Sequence, residues 1–583
     1  MSQISPKAIA LQNVSFTYWE AEEPALKEIN LEVEAGQFVL ITGPTGAGKS
    51  TFLMLLNGLI PHLLHCKLAG KVLINGHDTK TKTVPELATQ VGMTFEDPDT
   101  QIVSLTVEDD VAFGPSNSGV GREEIRRRVQ DALSRTRLSG MEERNPFTLS
   151  GVQKQGLAIA GVLAMNPKIL ALDEPLSMLD PIGRAMVVEI LKELAKNSGS
   201  TVIIVEQNPE PFLELADRIL VFDRGRVIKD GPVREVFKDV GKLSEIGVKL
   251  PPMVEVFQVL RNHGRFQQEF PLTVEEAAGL LKPLLGSAPP LVATTSEHEK
   301  KVDIEPIIVT RNVQHRYNES VVALQGVDLE IQANTITAIL GQNGCGKTTL
   351  AKHLIHVLSP TNPEAKILVA GLDVSQTSQR QVLEHINYVF QNPDDQLFQD
   401  SVESEIAYGP KNMGLGKEQI EENVELALKF FSLSNFREVP PKQLERGLRT
   451  KTAIASIVAM DPTILIIDEP TTGLDILDSI TIFEILRHLV GVGKTIVFIS
   501  HEMDLVARFA QQVVVMHKGE IVLQGAPAKI FAEGKLQHLS LIPPDIFRLC
   551  LELGWPLWDS LRTPADLARV ILASLNKENA DAV

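Results

Sequence analysis

The sequence has no uninterrupted apolar run of 18 or more residues, so it predicts no helix that crosses a bilayer. Cysteine is scarce too: Cys66, Cys345 and Cys550 are too scattered to form a disulfide framework or a metal cluster. Residues 1–10 lack the basic start and apolar core of a secretory signal. A net charge of −18 argues against a broad nucleic-acid-binding face, which would be basic. We therefore predict a cytosolic protein that binds no nucleic acid.

The chain is long, and it repeats itself. Its 583 residues are too many for one hydrophobic core, so two or more domains are expected. Landmark residues recur in the same order: Lys347 follows Lys49 by 298 positions (347 − 49). Asp468 follows Asp173 by 295 positions (468 − 173). One domain of roughly 250 residues is therefore predicted to occur twice.

Two glycine-rich segments each follow a short apolar run and lead into a helix-prone segment. They are residues 43–50 (Gly-Pro-Thr-Gly-Ala-Gly-Lys-Ser) and residues 341–348 (Gly-Gln-Asn-Gly-Cys-Gly-Lys-Thr). In this arrangement backbone amides surround phosphate oxygens, and the helix presents its positive end to the same anion. A chance glycine loop is the alternative, but its repetition argues against it. We predict two sites for a nucleoside triphosphate.

The predicted phosphate-binding residues fall into two equivalent sets. They are Gly43, Gly46, Gly48, Lys49, Ser50 and Thr51 in the first copy, and Gly341, Asn343, Gly344, Gly346, Lys347, Thr348 and Thr349 in the second. The lysines would neutralise charge on the β and γ phosphates, and the Ser50 and Thr348 hydroxyls would bind Mg²⁺. ATP and Mg²⁺ are the expected cofactors.

Each copy also has a buried apolar strand that ends in adjacent carboxylates, Asp173-Glu174 and Asp468-Glu469. A lone Asp-Glu pair at a strand end is usually only a turn. Here the pairs follow the loop lysines by 124 (173 − 49) and 121 (468 − 347) positions. We predict that Asp173 and Asp468 hold Mg²⁺, and that Glu174 and Glu469 polarise the attacking water.

With these landmarks, the chain resembles a tandem ATP-binding cassette (ABC) ATPase over nearly its whole length. The further matches are Tyr18 and Tyr317 (adenine-stacking aromatics), Gln391 (Gln loop and Mg²⁺), Leu149-Ser150-Gly151-Val152-Gln153 (signature), Leu179-Asp180 and Leu474-Asp475 (D-loops) and His501 (switch histidine). The resemblance implies that cassettes pair head to tail, so that each nucleotide contacts one phosphate loop and the Ser150-type signature of the other half.

The resemblance, together with the apolar strands, predicts an α/β fold. We expect two phosphate-loop domains in tandem, each with a central, mostly parallel sheet, a helical signature subdomain and a small helical tail. The predicted ranges are 1–249 and 304–540 for the ATPase domains, 250–283 and 541–583 for the tails, and 284–303 for the linker.

Two further segments resemble a subgroup, the ATPases of energy-coupling factor (ECF) importers of vitamins and transition-metal ions. They are Val111-Ala112-Phe113-Gly114-Pro115 and Ile406-Ala407-Tyr408-Gly409-Pro410, each following a Gln-loop region. The resemblance implies integral membrane partners for coupling and substrate binding, and a peripheral position at the cytoplasmic face of the membrane. Acidic residues after the Gln loop (Asp97, Asp99, Asp394 and Asp395) either pair with arginines of such a partner or are merely solvated.

The two composite ATP sites are not equivalent in sequence. The site on Lys347 has Glu469, His501 and Gln391, and faces Ser150, Gly151 and Gln153; Val152 replaces a glycine there at a position of close approach. We expect it to hydrolyse ATP. The site on Lys49 has Glu96 and Gln207 in place of the loop glutamine and switch histidine. It faces the altered signature Leu444-Glu445-Arg446-Gly447-Leu448, where Arg446 would partly offset the charge of Glu445.

We expect the site on Lys49 to bind ATP and to turn it over slowly or not at all. The alternative is tolerated drift in two working sites. Two other functions stay open: an ATPase of a conventional importer, for example of sugars, and a soluble tandem cassette protein acting on ribosomes. The acidic chain and short mixed linker argue against the ribosomal function. The transported substrate lies beyond this sequence, because a membrane subunit would select it.

Overall fold

A computed structural model of the chain describes residues 7–19, 21–177, 179–197, 199–285, 305–319 and 321–581. These residues form two compact units. Unit 1 comprises Met1–Val254 and Gln268–Leu272, and unit 2 comprises Glu255–Gln267 and Thr273–Val583. Nearly all of the predicted linker (284–303) lies outside the described residues. Within those residues, no helix is both long enough and apolar enough to span a membrane.

Unit 1 contains two sheets. Its strands are β1 (Lys7–Tyr18), β2 (Leu26–Glu34), β3 (Phe38–Thr42), β4 (Cys66–Ile74), β5 (His77–Asp78), β6 (Val91–Thr94), β7 (Ile169–Asp173), β8 (Thr201–Val205), β9 (Arg218–Asp223) and β10 (Arg226–Gly231). The six-stranded sheet has the order β10-β9-β3-β8-β7-β6 and is parallel except for β10. The other sheet is antiparallel, with the order β2-β1-β4-β5.

The helices of the first half lie between and beyond these strands. They are α1 (Lys49–Leu56), α2 (Leu59–His62), α3 (Val84–Ala88), α4 (Val107–Asn117), α5 (Arg122–Arg135), α6 (Gly151–Ala164), α7 (Pro181–Asn197), α8 (Val233–Val236), α9 (Val240–Glu245), α10 (Pro252–Asn262) and α11 (Val274–Leu281). Helices α4, α5 and α6 share an apolar cluster of their own and form the predicted helical subdomain.

Unit 2 repeats both sheets. Its strands are β11 (Pro306–Arg316), β12 (Val322–Gln332), β13 (Ile336–Leu340), β14 (Lys366–Val369), β15 (Leu372–Asp373), β16 (Ile386–Val389), β17 (Ile464–Asp468), β18 (Thr495–Ile499), β19 (Gln512–His517) and β20 (Glu520–Gly525). The sheet orders, β16-β17-β18-β13-β19-β20 and β12-β11-β14-β15, match those of unit 1 strand for strand. The predicted α/β fold, present twice, is confirmed.

The helices of the second half also follow the first. They are α12 (Lys347–Leu354), α13 (Gln379–Leu383), α14 (Val402–Met413), α15 (Lys417–Phe430), α16 (Arg446–Val458), α17 (Ile476–Gly491), α18 (Met503–Phe509), α19 (Pro527–Phe531), α20 (Asp545–Glu552) and α21 (Pro564–Asp581). In unit 2, α11 packs against α20, and the Glu275 carboxylate lies 3.0 Å from the Arg548 guanidinium.

The central strands explain where a site can form. Every residue of β3, β7 and β8 is buried, as is every residue of β13, β17 and β18. Continuous apolar strands buried on both faces are typical of parallel sheets covered by helices. Parallel strands bring their carboxyl ends to one edge, where loops carry the polar residues. Both glycine loops and both Asp-Glu pairs lie at that edge.

Candidate active sites

The glycine loops connect β3 to α1 and β13 to α12. A Cβ built at Gly43 would lie 2.1 Å from the Phe222 carbonyl oxygen, and one at Gly341 would lie 2.3 Å from that of Met516. The φ angles are 146° and 148°, in a region that favours glycine. Only glycine fits at these two positions, because the backbone there passes directly against a carbonyl group of the neighbouring strand.

The loop lysines are buried inside their own loops. Lys49 Nζ donates to the carbonyl oxygens of Gly43 (2.7 Å) and Pro44 (2.8 Å). Lys347 Nζ donates in the same way to Gly341 (2.7 Å) and to the carbonyl of residue 342 (3.0 Å). Each ammonium group is held where a phosphate in the loop can replace a carbonyl oxygen as its partner.

The second Asp-Glu pair lies at the end of β17. Asp468 Oδ2 accepts hydrogen bonds from Thr348 Oγ1 (3.0 Å) and from the Tyr388 hydroxyl (2.5 Å). The Tyr388 contact was not predicted; the tyrosine lies on β16, one strand away. Burial and the charge of Asp468 raise the pKa of Tyr388, so its hydroxyl stays a proton donor. Asp468 is thus fixed from two sides, and Thr348, its predicted Mg²⁺ co-ligand, is already beside it.

Glu469 has a strained backbone and a buried carboxyl group. Its φ is 45°, and its N–H donates to the Ile499 carbonyl at 2.9 Å. Burial, followed by the charge of Asp468, raises the pKa of Glu469 to about 8. His501 Nε2 lies 3.2 Å from Glu469 Oε1 and 3.1 Å from Asn343 Oδ1. The predicted base and switch histidine are therefore adjacent, whereas Gln391 is exposed beyond β16.

The first Asp-Glu pair has the same backbone but different neighbours. Glu174 has φ 47°, and its N–H donates to the Val205 carbonyl at 2.9 Å. Burial, helped by the charges of Asp173 and Glu96 and opposed by that of Lys49, raises the pKa of Glu174 to about 8. Burial likewise raises the pKa of Asp173 to about 6, opposed by a hydrogen bond from Ser50 and reinforced by Glu96. Glu96, which replaces the loop glutamine, therefore acts on both carboxyl groups.

Sequence reasoning missed a further carboxyl group in unit 1. Glu206 is buried after β8, and its Oε1 accepts a hydrogen bond from the Leu176 N–H at 2.9 Å. Burial raises the pKa of Glu206 well above its usual value, and Glu174 raises it further. The equivalent residue in unit 2 is Ser500 (500 − 206 = 294), a neutral residue that binds the Glu502 N–H. Comparing the two halves position by position would have revealed this extra carboxylate.

The two adenine-stacking candidates differ in accessibility. The Tyr317 hydroxyl lies 3.2 Å from Thr349 Oγ1, and 53% of the side chain is exposed, so its ring is open to a ligand. The Tyr18 hydroxyl lies 2.9 Å from Thr51 Oγ1, and its side chain is only partly exposed. Both rings pack edge-on against a neighbour, Phe16 or His315, with the centroids 4.7 Å apart. Both roles stay predictions.

The two signature segments begin α6 and α16. In unit 1 the Ser150 N–H donates to Gln153 Oε1 (3.0 Å), and Ser150 Oγ accepts from the Gln153 N–H (3.4 Å), which forms a capping box. In unit 2 Glu445 is exposed at the start of α16 and forms no cap hydrogen bond. The Arg446 guanidinium packs over Gly473 of its own unit: a Cβ there would lie 2.9 Å from Cζ.

The residues fit ATP and Mg²⁺. Asp173 Oδ1 is buried without a hydrogen-bond partner, and burial makes the Asp173 and Glu469 carboxylates costly to ionise. A divalent cation beside them would reverse that cost, because an opposite charge favours the ionised form. A loop amide nest, a buried lysine and a Ser or Thr hydroxyl complete the donor set that the sequence predicted.

The comparisons with known proteins agree with this geometry. The family described as ABC transporter matches residues 26–177 and again residues 324–472. An ABC transporter ATP-binding protein of Caldanaerobacter subterraneus, so named, is 40% identical over 94% of this chain and 97% of its own length. A Methanosarcina mazei protein of the same description is 39% identical over 94% of this chain and 93% of its own length. A solved structure, Clostridium perfringens cbiO1 (described as part of the ABC transporter complex cbiONQ), is 33% identical over 42% of this chain and 99% of its own, with a TM-score of 0.38.

Proposed function

This chain belongs to the ABC transporter family, as an ATPase with both cassettes on one polypeptide, and we propose that it energises an ECF-type membrane importer of a vitamin or transition-metal ion. ATP and Mg²⁺ are its cofactors. The observation that carries the proposal is that unit 2 contains both the site formed by Thr348, Asp468, Glu469 and His501 and a groove at its aromatic-Gly-Pro segment.

In the proposed reaction, unit 2 performs the hydrolysis. Lys347 and the loop amides bind the phosphates, and Glu469 accepts a proton from the attacking water at Oε1. His501, 3.2 Å from that oxygen, orients the carboxyl group and the γ-phosphate. Thr348 and Asp468, joined by Gln391 if its loop moves towards the nucleotide, would hold a Mg²⁺ ion that would neutralise charge on the phosphates. The signature facing this site in the proposed pairing is Ser150, Gly151 and Gln153 of the other unit.

Unit 1 is proposed to hold ATP without efficient turnover. Glu96 and Gln207 replace the two residues that would position water and γ-phosphate, and Glu206 adds a third buried carboxyl group near Asp173 and Glu174. The additional negative charge in this site opposes the approach of the terminal phosphate. Lys49 and Ser50 still support binding.

A groove in unit 2 supports docking of a membrane subunit. It has a volume of about 490 Å³, and its mostly apolar lining includes Leu383, Phe398, Tyr408, Met413 and Met460. The aromatic-Gly-Pro segment explains its shape. A Cβ at Gly409 would lie 2.5 Å from the Met460 sulfur, so glycine lets α14 pack closely on α16 while Tyr408 stays 43% exposed. We propose that a coupling helix of the membrane partner binds this groove.

The acidic residues after the Gln loop contribute less to docking than the sequence suggested. Asp394 accepts two hydrogen bonds from Arg449 Nη1, both 2.9 Å, and Asp99 lies 2.7 Å from Lys154 Nζ. Their charges are already compensated inside their own units. Asp395 is exposed beside the groove, and it is the better candidate for pairing with a basic residue of the partner.

The test is co-purification of the tagged full chain from membranes of its native host. We expect integral membrane proteins to be recovered with the wild-type chain, and much less of them with Asp395→Lys combined with Phe398→Glu. Glu418→Lys, an exposed change on α15, is the matched control and should recover them fully. Recovery of ribosomes, or unchanged recovery with the groove variant, would contradict the proposal. Uptake of labelled vitamins, cobalt and nickel in a deletion strain then separates this importer from a sugar importer.

A further inference from the structure

The fourth residue of the signature differs between the two units: it is Val152 in unit 1 and Gly447 in unit 2. The structure shows what the Val152 side chain contacts. Val152 lies on the first turn of α6. A Cβ built at Gly183, on the first turn of α7, would lie only 2.3 Å from Val152 Cγ2. The Val152 side chain is thus directed at α7 of its own unit and fills the space that a side chain at position 183 would need.

Unit 2 has the opposite arrangement at the equivalent positions. Gly447 corresponds to Val152 and Asp478 to Gly183, both at an offset of 295 (447 − 152 and 478 − 183). A Cβ at Gly447 would lie 2.3 Å from Asp478 Oδ2. Asp478 Oδ1 also lies 3.3 Å from Lys451 Nζ on α16. In each unit, therefore, one side of this helix contact is glycine and the other side carries the filling side chain.

This contact joins two segments that act on nucleotide. Helix α6 begins at the signature, directly after Ser150, and α7 begins directly after the D-loop residues Leu179 and Asp180. Asp180 Oδ1 also accepts a hydrogen bond from the Gly183 N–H at 2.9 Å, which fixes the start of α7. A change in the space between Val152 and Gly183 would shift the signature relative to the D-loop.

We propose that Val152 and Gly183 form a matched spacer that positions the signature of unit 1 against its D-loop, as Asp478 and Gly447 do in unit 2. Val152 is then a positioning residue, and the valine does not obstruct a phosphate as its place in the signature suggested. Restoring the family glycine should impair the enzyme. The proposal rests on the proposed role of residues 149–153 in hydrolysis at unit 2, which the comparison of Glu469→Gln with Glu174→Gln tests separately.

The experiment is a double-mutant cycle in the full chain: Val152→Gly, Gly183→Ala and the combination. Val152→Gly leaves a gap between the two helices. Gly183→Ala forces an overlap that the β-branched Val152 cannot relieve by rotating. We expect kcat to fall about fivefold in each, with KM for ATP within about twofold, because positioning acts on the chemical step. In the combination the alanine Cβ replaces the lost Cγ2, and kcat should return to within about twofold of the wild type.

The same cycle in unit 2 is the matched control. Gly447→Ala should collide with Asp478, and Asp478→Gly should relieve the collision. This pair should therefore be strongly non-additive in thermal stability, which is the readout here because the unit 2 signature faces the site proposed to turn over little ATP. A Val152→Gly enzyme as active as the wild type, or more active, would overturn the proposal. So would a double variant whose loss equals the product of the single losses. If Gly183→Ala does not fold, Val152→Gly and the unit 2 pair still decide the question.

Discussion

The two candidate active sites share a backbone and differ in their side chains. Both have the same sheet order, the same strained glutamate after the same strand (φ 47° and 45°) and the same buried lysine. In the described part of unit 2, His501 lies beside the glutamate and Glu502 is the one further carboxylate whose charge acts on it, whereas unit 1 has both Glu206 and Glu96 near its own. Under the proposed asymmetry, the fold keeps the same nucleotide cradle in both units, and a few side chains decide whether the bound nucleotide reacts.

The largest effect should come from removing the base in each unit. Glu469→Gln should lower ATPase activity at least about 100-fold, because general base catalysis contributes about that much or more. Glu174→Gln should leave it within about twofold, because we propose that the site on Lys49 contributes little turnover. Steady-state ATPase of the assembled complex measures both. Similar losses from the two changes would refute the difference between the sites.

A smaller effect should follow from Tyr388→Phe. This change removes the 2.5 Å hydrogen bond to Asp468, and a bond to a charged group contributes about 1.5–3 kcal/mol. We expect the Mg²⁺ concentration for half-maximal ATPase to rise about tenfold, with a corresponding loss of Mg²⁺ affinity by calorimetry. Met93→Leu at the equivalent position of unit 1 is the control and should change neither. An unchanged Mg²⁺ dependence in Tyr388→Phe would show that Asp468 needs no such support.

The smallest effect concerns stability and pH in the absence of nucleotide. Burial raises the pKa of Glu174 and of Glu469 to about 8 in the folded chain, whereas the pKa of a glutamate in the unfolded chain is about 4.5. The folded state therefore binds more protons across that window. The stability that these two protonated carboxyl groups contribute is fully present below the unfolded pKa of about 4.5, and it is lost as the pH rises through the folded pKa of about 8.

Thermal unfolding of the nucleotide-free chain at pH 6 and pH 9 tests this sign. Between pH 6 and pH 9, the unfolding midpoint of the wild type should fall by about 2–4 °C more than the midpoint of Glu469→Gln, given units of this size. Because both units carry such a carboxyl group, Glu174→Gln should flatten the profile to a similar extent. An equal pH dependence in all three proteins would mean that neither carboxyl group is held protonated.

The local motifs were predictable because they are contiguous. The glycine loops, the Asp-Glu pairs and the repeat offset were all read from segments of a few residues, and the structure brings Lys347, Thr348 and Asp468 together as expected. The partners of the acidic residues after the Gln loop were harder to predict from the sequence. Asp394 is bound by Arg449, 55 residues further along the chain, and nothing local to either residue indicates that partner.

By itself, the sequence determined that the chain holds two phosphate loops, each followed by paired carboxylates. The glycines and lysine of each loop lie within eight consecutive residues, and the Asp and Glu of each pair are adjacent, so each motif is visible locally. Only the tertiary structure decided which neighbours tune those groups. Tyr388 reaches Asp468 across 80 residues, Glu206 reaches Leu176 across 30, and Val152 meets Gly183 on another helix. Such contacts depend on how strands and helices pack against one another. No local pattern in the sequence predicts them, because the partners are distant along the chain.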